Sequence, residues 1–197
     1  KTSLKELEQK YKLKHSMIIQ QNIKAINSGV FHNDVISFGY KNHLFCHEDA
    51  YNDQKNILNQ LKLMFKSITN EELKITEIKN HELSLEKCVK SYLFNSQVII
   101  NKNKHTLLCP FAAERCKQTV NILKGWLSEG LFEDISFIDI KSSLMNGGGP
   151  ACLRLCLYLE QEEILSIPPT FILDHPKIKL LYEFFNQYYP ESFDYKI

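Results

Sequence analysis

Cys152 and His32 are the two residues whose types could together perform nucleophilic chemistry. A cysteine attacks carbon as its thiolate, and a histidine moves protons at neutral pH. Asp34 follows His32 closely in the sequence, and its carboxylate could orient the imidazole as a base. A catalytic cysteine and histidine need only be neighbours in space, so their wide separation along the chain does not count against the pair.

The segment before Cys152 is rich in glycine. Three consecutive glycines, residues 147–149, indicate a backbone at positive φ or one that closely approaches another group. Their amides could surround a small ligand, and Pro150 fixes φ where the segment ends. From Cys152 onward polar and apolar residues alternate, which predicts a strand with Cys152, Arg154 and Cys156 on one face. Arg154 would then favour the thiolate.

The residues alone leave other interpretations open. Cys152 could equally be a buried core thiol, and His32 a loop histidine that bonds only to backbone. The types of His43, His47 and Glu48 suit a metal, although a core or solvent-facing role is favoured in a strand. The glycine segment fits neither common phosphate-binding pattern, and the predicted strand after it argues against a nucleotide site.

The overall composition is typical of a soluble globular protein. The chain has 197 residues, of which 44% are hydrophobic and 24% charged. A net charge of +1 gives no reason to expect nucleic acid or an anionic membrane as a partner. The apolar runs are too short to predict a membrane-spanning helix. Six cysteines without a CxxC pair indicate reduced thiols in a cytoplasmic protein.

The hydrophobic patterns predict an α/β chain built from ββαβ-like units. Two strands, a helix and a strand are predicted, and this order then recurs. No linker rich in proline or glycine divides the chain, so one domain over residues 1–197 is expected. The first unit is predicted over 34–40, 43–47, 48–67 and 73–78, and the second over 92–100, 106–109, 110–130 and 135–140. A strand at 17–19 and a last helix at 174–189 are also predicted.

Five segments together resemble one known family. They are QQN at 20–22, GVFHNDV at 29–35, LFCHE at 44–48, YLFNSQ at 92–97 and NGGGPACLRL at 146–155. In this order they closely resemble N-succinylarginine dihydrolases. The resemblance implies the pentein fold, a propeller-like ring of five ββαβ modules around a central site. This chain would be the C-terminal part of such a ring, a partial domain with two or three modules.

The resemblance also implies a reaction and its residues. Members of the family hydrolyse the guanidino group of N2-succinylarginine with two waters. The products are N2-succinylornithine, two ammonia and carbon dioxide, and the reaction belongs to arginine catabolism. No metal or organic cofactor is implied, and the full-length enzyme is expected to be a homodimer. By position Cys152 matches the nucleophile and His32 the catalytic histidine, while Asp34 and Asn146 match substrate-binding residues.

The chain departs from the family pattern in one respect. The family's catalytic glutamate, an arginine and a substrate-binding loop stand farther upstream of the histidine than this chain reaches, and no glutamate here matches. We therefore expect this chain alone to be inactive or nearly so. Two alternatives remain: another guanidine-modifying pentein, such as a deiminase that stops after one ammonia, and a non-catalytic structural fragment.

Overall fold

A computed structural model describes residues 2–145, 148–153 and 159–189. The chain divides into two compact units, Lys1–Arg154 and Leu155–Ile197. The strands are β1 Ser37–Tyr40, β2 His43–His47, β3 Lys74–Ile78, β4 Gln97–Asn101, β5 Lys104–Pro110 and β6 Asp134–Ile138. The helices are α1 Thr2–Lys10, α2 Ile23–Asn27, α3 Gln54–Thr69, α4 Leu85–Ser91, α5 Phe111–Glu114, α6 Lys117–Ser128, α7 Lys141–Met145, α8 Gln161–Ser166 and α9 His175–Tyr188. Short 3-10 helices cover Asn33–Val35, Pro150–Leu153 and Pro169–Phe171.

The first unit contains two modules with the same topology. In the first module β1 and β2 form an antiparallel hairpin, and β3 returns parallel to β2 after α3. In the second module β4 and β5 form the hairpin, and β6 returns parallel to β5 after α5 and α6. The predicted ββαβ order is therefore confirmed in both modules, and the fold class is α/β with two small mixed sheets.

Local chemistry explains the two hairpins. The turn between β4 and β5 places Lys102 and Asn103 at φ 47° and 67°. Two successive left-handed residues give the tight turn whose twist matches that of the flanking strands. The turn between β1 and β2 likewise has Lys41 at φ 51°. These turns fix the register in which Ser37 pairs with Cys46 and Gln97 with Leu108.

A shared aromatic cluster joins the two modules. The Phe45 ring of β2 stacks on Phe38 of β1 at 4.7 Å between ring centroids. On its other side Phe45 lies 4.9 Å from Trp126 of α6 and 5.6 Å from Phe132. Phe94, just before β4, reaches Phe38 at 6.4 Å. The two sheets therefore share one hydrophobic core.

Several local predictions were wrong. The strand predicted over 92–100 begins only at Gln97, because Tyr92 ends α4 in a left-handed conformation, and the helix predicted over 48–67 begins only at Gln54. Residues 17–19 form no strand, and an isolated bridge joins Gln21 to Tyr51. The single helix predicted over 110–130 is broken before Cys116, so that α5 and α6 are separate. Cys152 lies in a 3-10 helix rather than a strand, because Pro150 holds the chain at the turn and the Cys152 N–H bonds back to the Gly149 carbonyl at 3.0 Å.

Over residues 159–189, the described part of the second unit, the chain forms α8, a 3-10 helix and α9. Asp174 caps α9 by accepting a hydrogen bond from the Lys177 N–H at 2.9 Å, and Pro176 occupies the first turn. This helix agrees with the one predicted over 174–189. Within the described residues of both units, no helix combines the length and apolar character needed to cross a bilayer.

Candidate active site

His32 lies in the loop between α2 and β1, just before the first strand of the first module. Gly29 follows α2 at φ +96°, a conformation that suits glycine, and turns the chain toward β1. His32 then immediately precedes the 3-10 helix Asn33–Val35, and its carbonyl accepts the Val35 N–H at 3.1 Å. The His32 side chain is exposed, with its ring 5.0 Å from Phe31 edge to face, and Asp34 is half-buried. Both predicted residues are thus presented by one short turn.

Helix α4 packs against the turn that presents His32. The Cys88 thiol of α4 donates to the Val35 carbonyl at 3.4 Å, and both residues are buried. A methyl group placed on Gly29 would lie 3.7 Å from Val89, the next residue of α4. The backbone on either side of His32 is therefore packed against one helix.

Cys152 lies in a compact turn whose hydrogen bonds converge on Gly149. The Gly149 carbonyl accepts the Cys152 N–H at 3.0 Å. The Gly149 N–H donates to the Cys152 sulfur at 3.3 Å, while the thiol side chain is exposed. An N–H aimed at sulfur stabilises negative charge there. The arrangement presents an accessible thiol with a backbone donor beside it.

Close packing explains the glycine at 149. A methyl group on Gly149 would lie 2.1 Å from Asn95 Oδ1, 2.9 Å from Asn95 Cγ and 3.1 Å from Leu144 Cδ2. The φ of Gly149 is not in the left-handed region. Of the two explanations offered by the sequence, close approach of the backbone is therefore the one that holds at this position.

One segment, from α4 to Asn95, contacts both predicted catalytic turns. Tyr92 ends α4 in a left-handed conformation, and the Asn95 N–H bonds back to its carbonyl at 2.9 Å. The helix packs on the His32 turn, and the loop after it packs on Gly149. The structure thereby brings the His32 and Cys152 turns to neighbouring parts of one element. Asn146 and Arg154, also singled out from the sequence, lie outside the described residues.

The other described cysteines have different environments. Burial raises the pKa of the Cys46, Cys88 and Cys109 thiols to about 12, so these three are protonated at neutral pH. Burial alone would also raise the pKa of Cys116. Hydrogen bonds from Thr119 and the Gln118 N–H, together with the nearby charge of Lys87, outweigh it and lower that pKa. Cys116 is the N-cap residue directly before α6 and is distant from the His32 turn in the sequence.

The histidines of β2 have structural roles. His47 is fully buried, its Nδ1 accepts the Asp49 N–H at 3.0 Å, and its Nε2 bonds the Leu83 carbonyl at 2.9 Å. His43 stacks on Phe45 and bonds Thr76 Oγ1 at 2.8 Å. Burial, aided by Lys74, lowers the pKa of His43. Within the part of the chain that the structure describes, no group of three or more candidate ligands could hold a metal.

A groove of about 860 Å³ lies between α4, α5, α6 and α7. The residues that line it include the cationic Lys87, Arg115 and Lys141 and the apolar Phe111 and Leu144. Neither His32 nor Cys152 lines it. Through Leu144, which lies 3.1 Å from a methyl group placed on Gly149, it borders the turn that carries Cys152.

Asn95 and α4 are the site elements that reasoning from residue types missed. Asn95 lies in the YLFNSQ segment, which supported the family resemblance without suggesting a role for any residue. The signal available was a polar Asn-Ser pair directly after the apolar Leu93 and Phe94. All four are buried, and a buried amide in such a setting needs a specific partner.

Comparison with known proteins places this geometry in a family. The model of the succinylarginine dihydrolase family matches residues 5–196. An N-succinylarginine dihydrolase of Pseudoalteromonas translucida is 34% identical over 166 residues, which cover 82% of this chain and 36% of that protein. The enzyme of the same name from Photobacterium profundum is 34% identical, covering 89% and 39%. That from Marinobacter nauticus is 36% identical, covering 81% and 35%.

The chain spans about two fifths of the length of these curated relatives, and the matches cover most of the chain itself. The family match includes the His32 turn, the α4–Asn95 segment and the Cys152 turn within one continuous stretch. The chain belongs to the succinylarginine dihydrolase family.

Proposed function

We propose that the protein containing this chain hydrolyses the guanidino group of N2-succinylarginine in arginine catabolism. The products are N2-succinylornithine, two ammonia and carbon dioxide. The observation that carries the proposal is the family match over residues 5–196. The exposed thiol of Cys152 in its hydrogen-bonded turn supports it, because this chemistry needs an accessible nucleophile.

In the first half of the reaction the Cys152 thiolate attacks the guanidinium carbon. His32 protonates one terminal nitrogen, which leaves as ammonia, and a covalent S-alkyl thiouronium remains. His32 then takes a proton from water, and the hydroxide adds to the same carbon. Cleavage of the C–S bond restores the thiolate, and loss of the added hydroxyl's proton to solvent leaves a neutral ureido intermediate.

The second half repeats the cycle on the ureido carbon. Cys152 attacks again, the second ammonia leaves, and a second water releases a carbamate. The carbamate decomposes to carbon dioxide and N2-succinylornithine. Two waters are consumed and two ammonia released, so the atoms balance without an oxidant, a reductant or a metal in the scheme.

Asp34 and Asn146 are the proposed substrate-binding residues. The guanidinium carbon is a poor electrophile because its positive charge is spread over three nitrogens. A carboxylate at Asp34 would neutralise and orient this cation through charge-assisted hydrogen bonds. Asp34 is half-buried in the turn that presents His32, which suits this role. Asn146 would contribute its side-chain amide.

The proposal extends to the architecture of the whole protein. The two ββαβ modules would be part of a pentein propeller, and residues 1–197 part of one domain of it. The family's glutamate and arginine would belong to the length of the relatives that this chain does not match. We further propose a homodimer in the cytoplasm that uses no cofactor, with the isolated chain inactive.

Labelling with 2-chloroacetamidine tests the site without requiring turnover. This cation mimics a guanidinium, and 2-chloroacetamide is its neutral counterpart of nearly the same shape. For each cysteine, the alkylation rate with 2-chloroacetamidine is divided by the rate with 2-chloroacetamide to give an amidine-to-amide ratio. If Asp34 attracts the cation, we expect this ratio to be larger at Cys152 than at Cys116. An excess of about tenfold corresponds to a contact of about 1.4 kcal/mol.

Replacing Asp34 by Asn should remove this preference at Cys152. Asp53→Asn is the matched control, because it makes the same charge change at a left-handed position that asparagine also tolerates. Equal ratios at Cys152 and Cys116, unaffected by Asp34→Asn, would contradict the proposed roles of Cys152 and Asp34.

A further inference from the structure

We propose that Asn95 is a positioning residue for Cys152, which acts by holding the peptide of Gly149. Asn95 would not touch the substrate. The inference rests on the proposed function, since it concerns the thiol assigned there as nucleophile. Its test uses a separate measurement.

The first observation is the contact between Asn95 and Gly149. A methyl group on Gly149 would lie 2.1 Å from Asn95 Oδ1, well inside the contact distance of real side chains. The space beside this backbone is therefore occupied by the Asn95 amide. A glycine at 149 is required by the presence of Asn95, and not by its own φ.

The second observation is that Asn95 is firmly held. Its side chain is 3% exposed, and Leu93 and Phe94 just before it are fully buried. Its backbone N–H bonds the Tyr92 carbonyl, and the Ser96 hydroxyl donates to the Leu93 carbonyl at 2.6 Å. These hydrogen bonds hold the backbone on both sides of Asn95, and burial leaves its side chain little free space, so moving it to admit a methyl group is costly.

The third observation is that Gly149 makes two hydrogen bonds to Cys152. Its carbonyl accepts the Cys152 N–H, and its own N–H donates to the sulfur. A shift of the Gly149 backbone therefore moves the Cys152 sulfur and weakens the N–H donor that stabilises negative charge on it. In-line attack depends on such placement, because small displacements of a reacting group cost large factors in rate.

The test measures alkylation of native Cys152 by neutral 2-chloroacetamide, with Cys116 in the same molecule as the internal reference. Trypsin cleavage after Arg154 separates the Cys152 peptide from that of Cys156. We expect Gly149→Ala to slow the alkylation of Cys152 by about tenfold. This factor is equivalent to about 1.4 kcal/mol of lost stabilisation of the attacking thiolate. The Cys116 rate should stay unchanged.

Two further variants make the test specific to Asn95. Asn95→Ala alone should slow the alkylation of Cys152 by less than Gly149→Ala does. It removes the side chain that packs against Gly149 but creates no steric overlap there. Combining Asn95→Ala with Gly149→Ala removes the overlap with Asn95 and leaves only Leu144 Cδ2, at 3.1 Å, to adjust, so alkylation of Cys152 should recover most of the way to the rate in Asn95→Ala. Gly125→Ala is the matched control, since a methyl group there meets nothing within 4 Å.

Three outcomes would overturn the proposal. They are an unchanged Cys152 rate in Asn95→Ala, a double variant no faster than Gly149→Ala, and equal slowing of Cys116 and Cys152. The last would show that the effect is not confined to the Cys152 turn. If Gly149→Ala does not fold, the alkylation rate of Cys152 in Asn95→Ala alone tests whether Asn95 positions this thiol. Failure of the proposed function would instead appear in the amidine-to-amide ratio of the unsubstituted chain.

Discussion

At the scale of single residues, the environment of each thiol decides its chemistry. Cys46, Cys88 and Cys109 lie in the core, where burial keeps them protonated. Cys152 is exposed and Cys116 half-buried at the start of α6. Since only a thiolate attacks carbon readily, these two are the reactive candidates among the cysteines whose side chains are described.

Iodoacetamide should distinguish the two groups of thiols. In the folded protein at neutral pH, we expect Cys152 and Cys116 to be alkylated and the three core cysteines to be protected until unfolding. Peptide mapping at several labelling times checks this, with the chain in urea as the fully reactive control. Modification of Cys46, Cys88 or Cys109 as fast as Cys152 would contradict the described core.

At the scale of elements, a polar contact ties α3 to the first sheet. Gln54 of α3 donates to the His47 carbonyl at 2.8 Å and to the Glu77 carboxylate at 2.7 Å. Lys79 pairs with the same carboxylate. Burial alone would raise the pKa of Glu77, but the hydrogen bonds from Lys79 and Gln54 lower it below its usual value. The charged form of Glu77 therefore stabilises the folded state.

Glu77→Gln should lower the free energy of unfolding at neutral pH by about 1 kcal/mol. Because the folded pKa lies below the unfolded one, the contribution of Glu77 is complete above the unfolded pKa, near 4.5. It is lost as the pH falls through the folded pKa. The difference between the two proteins should therefore shrink in acid.

Urea unfolding from neutral to acidic pH measures this difference. Glu72→Gln is the control, because the Lys66–Glu72 pair is exposed and such pairs contribute little. A Glu77→Gln difference that is constant with pH would show that its carboxylate does not titrate as described.

The elements also show which features of the fold could be predicted from sequence patterns. Alternation and helical spacing predicted both ββαβ modules because each strand and its hairpin turn are set by nearby residues. The same alternation misplaced Cys152, since it could not reveal that Gly149 packs against Asn95, a residue distant in the sequence. The separation of the helices before Cys116 was equally hidden, as no glycine or proline marks it. The family resemblance made Cys152 and His32 the candidate catalytic pair, but it did not point to the element that contacts both of their turns.

At the scale of the whole molecule, the two modules share one core. Phe38 and Phe45 come from the first sheet, and Phe94, Trp126 and Phe132 from the second module. The Tyr40 hydroxyl also bonds His105 Nδ1 at 3.2 Å across the same junction. Neither module buries these rings alone, so the modules should unfold together.

Phe45→Ala should therefore lower the free energy of unfolding by about 3–5 kcal/mol, because it leaves a cavity between both modules. Leu63→Ala, at a position that is 72% exposed, should change it by less than about 0.5 kcal/mol. Fluorescence of Trp126 follows the second module, and labelling of buried Cys46 follows the first. The two transitions should coincide in urea, and separate midpoints would refute a shared core.

The most direct test of the central claim is the stoichiometry of the reaction. Purified gene product that contains this chain is supplied with N2-succinylarginine, and ammonia and the organic product are measured together. We predict two ammonia for each N2-succinylornithine formed, no activity after Cys152→Ser, and none from residues 1–197 alone. One ammonia per substrate with accumulating ureido product would instead indicate a deiminase, and unchanged turnover in Cys152→Ser would contradict the assignment of the nucleophile.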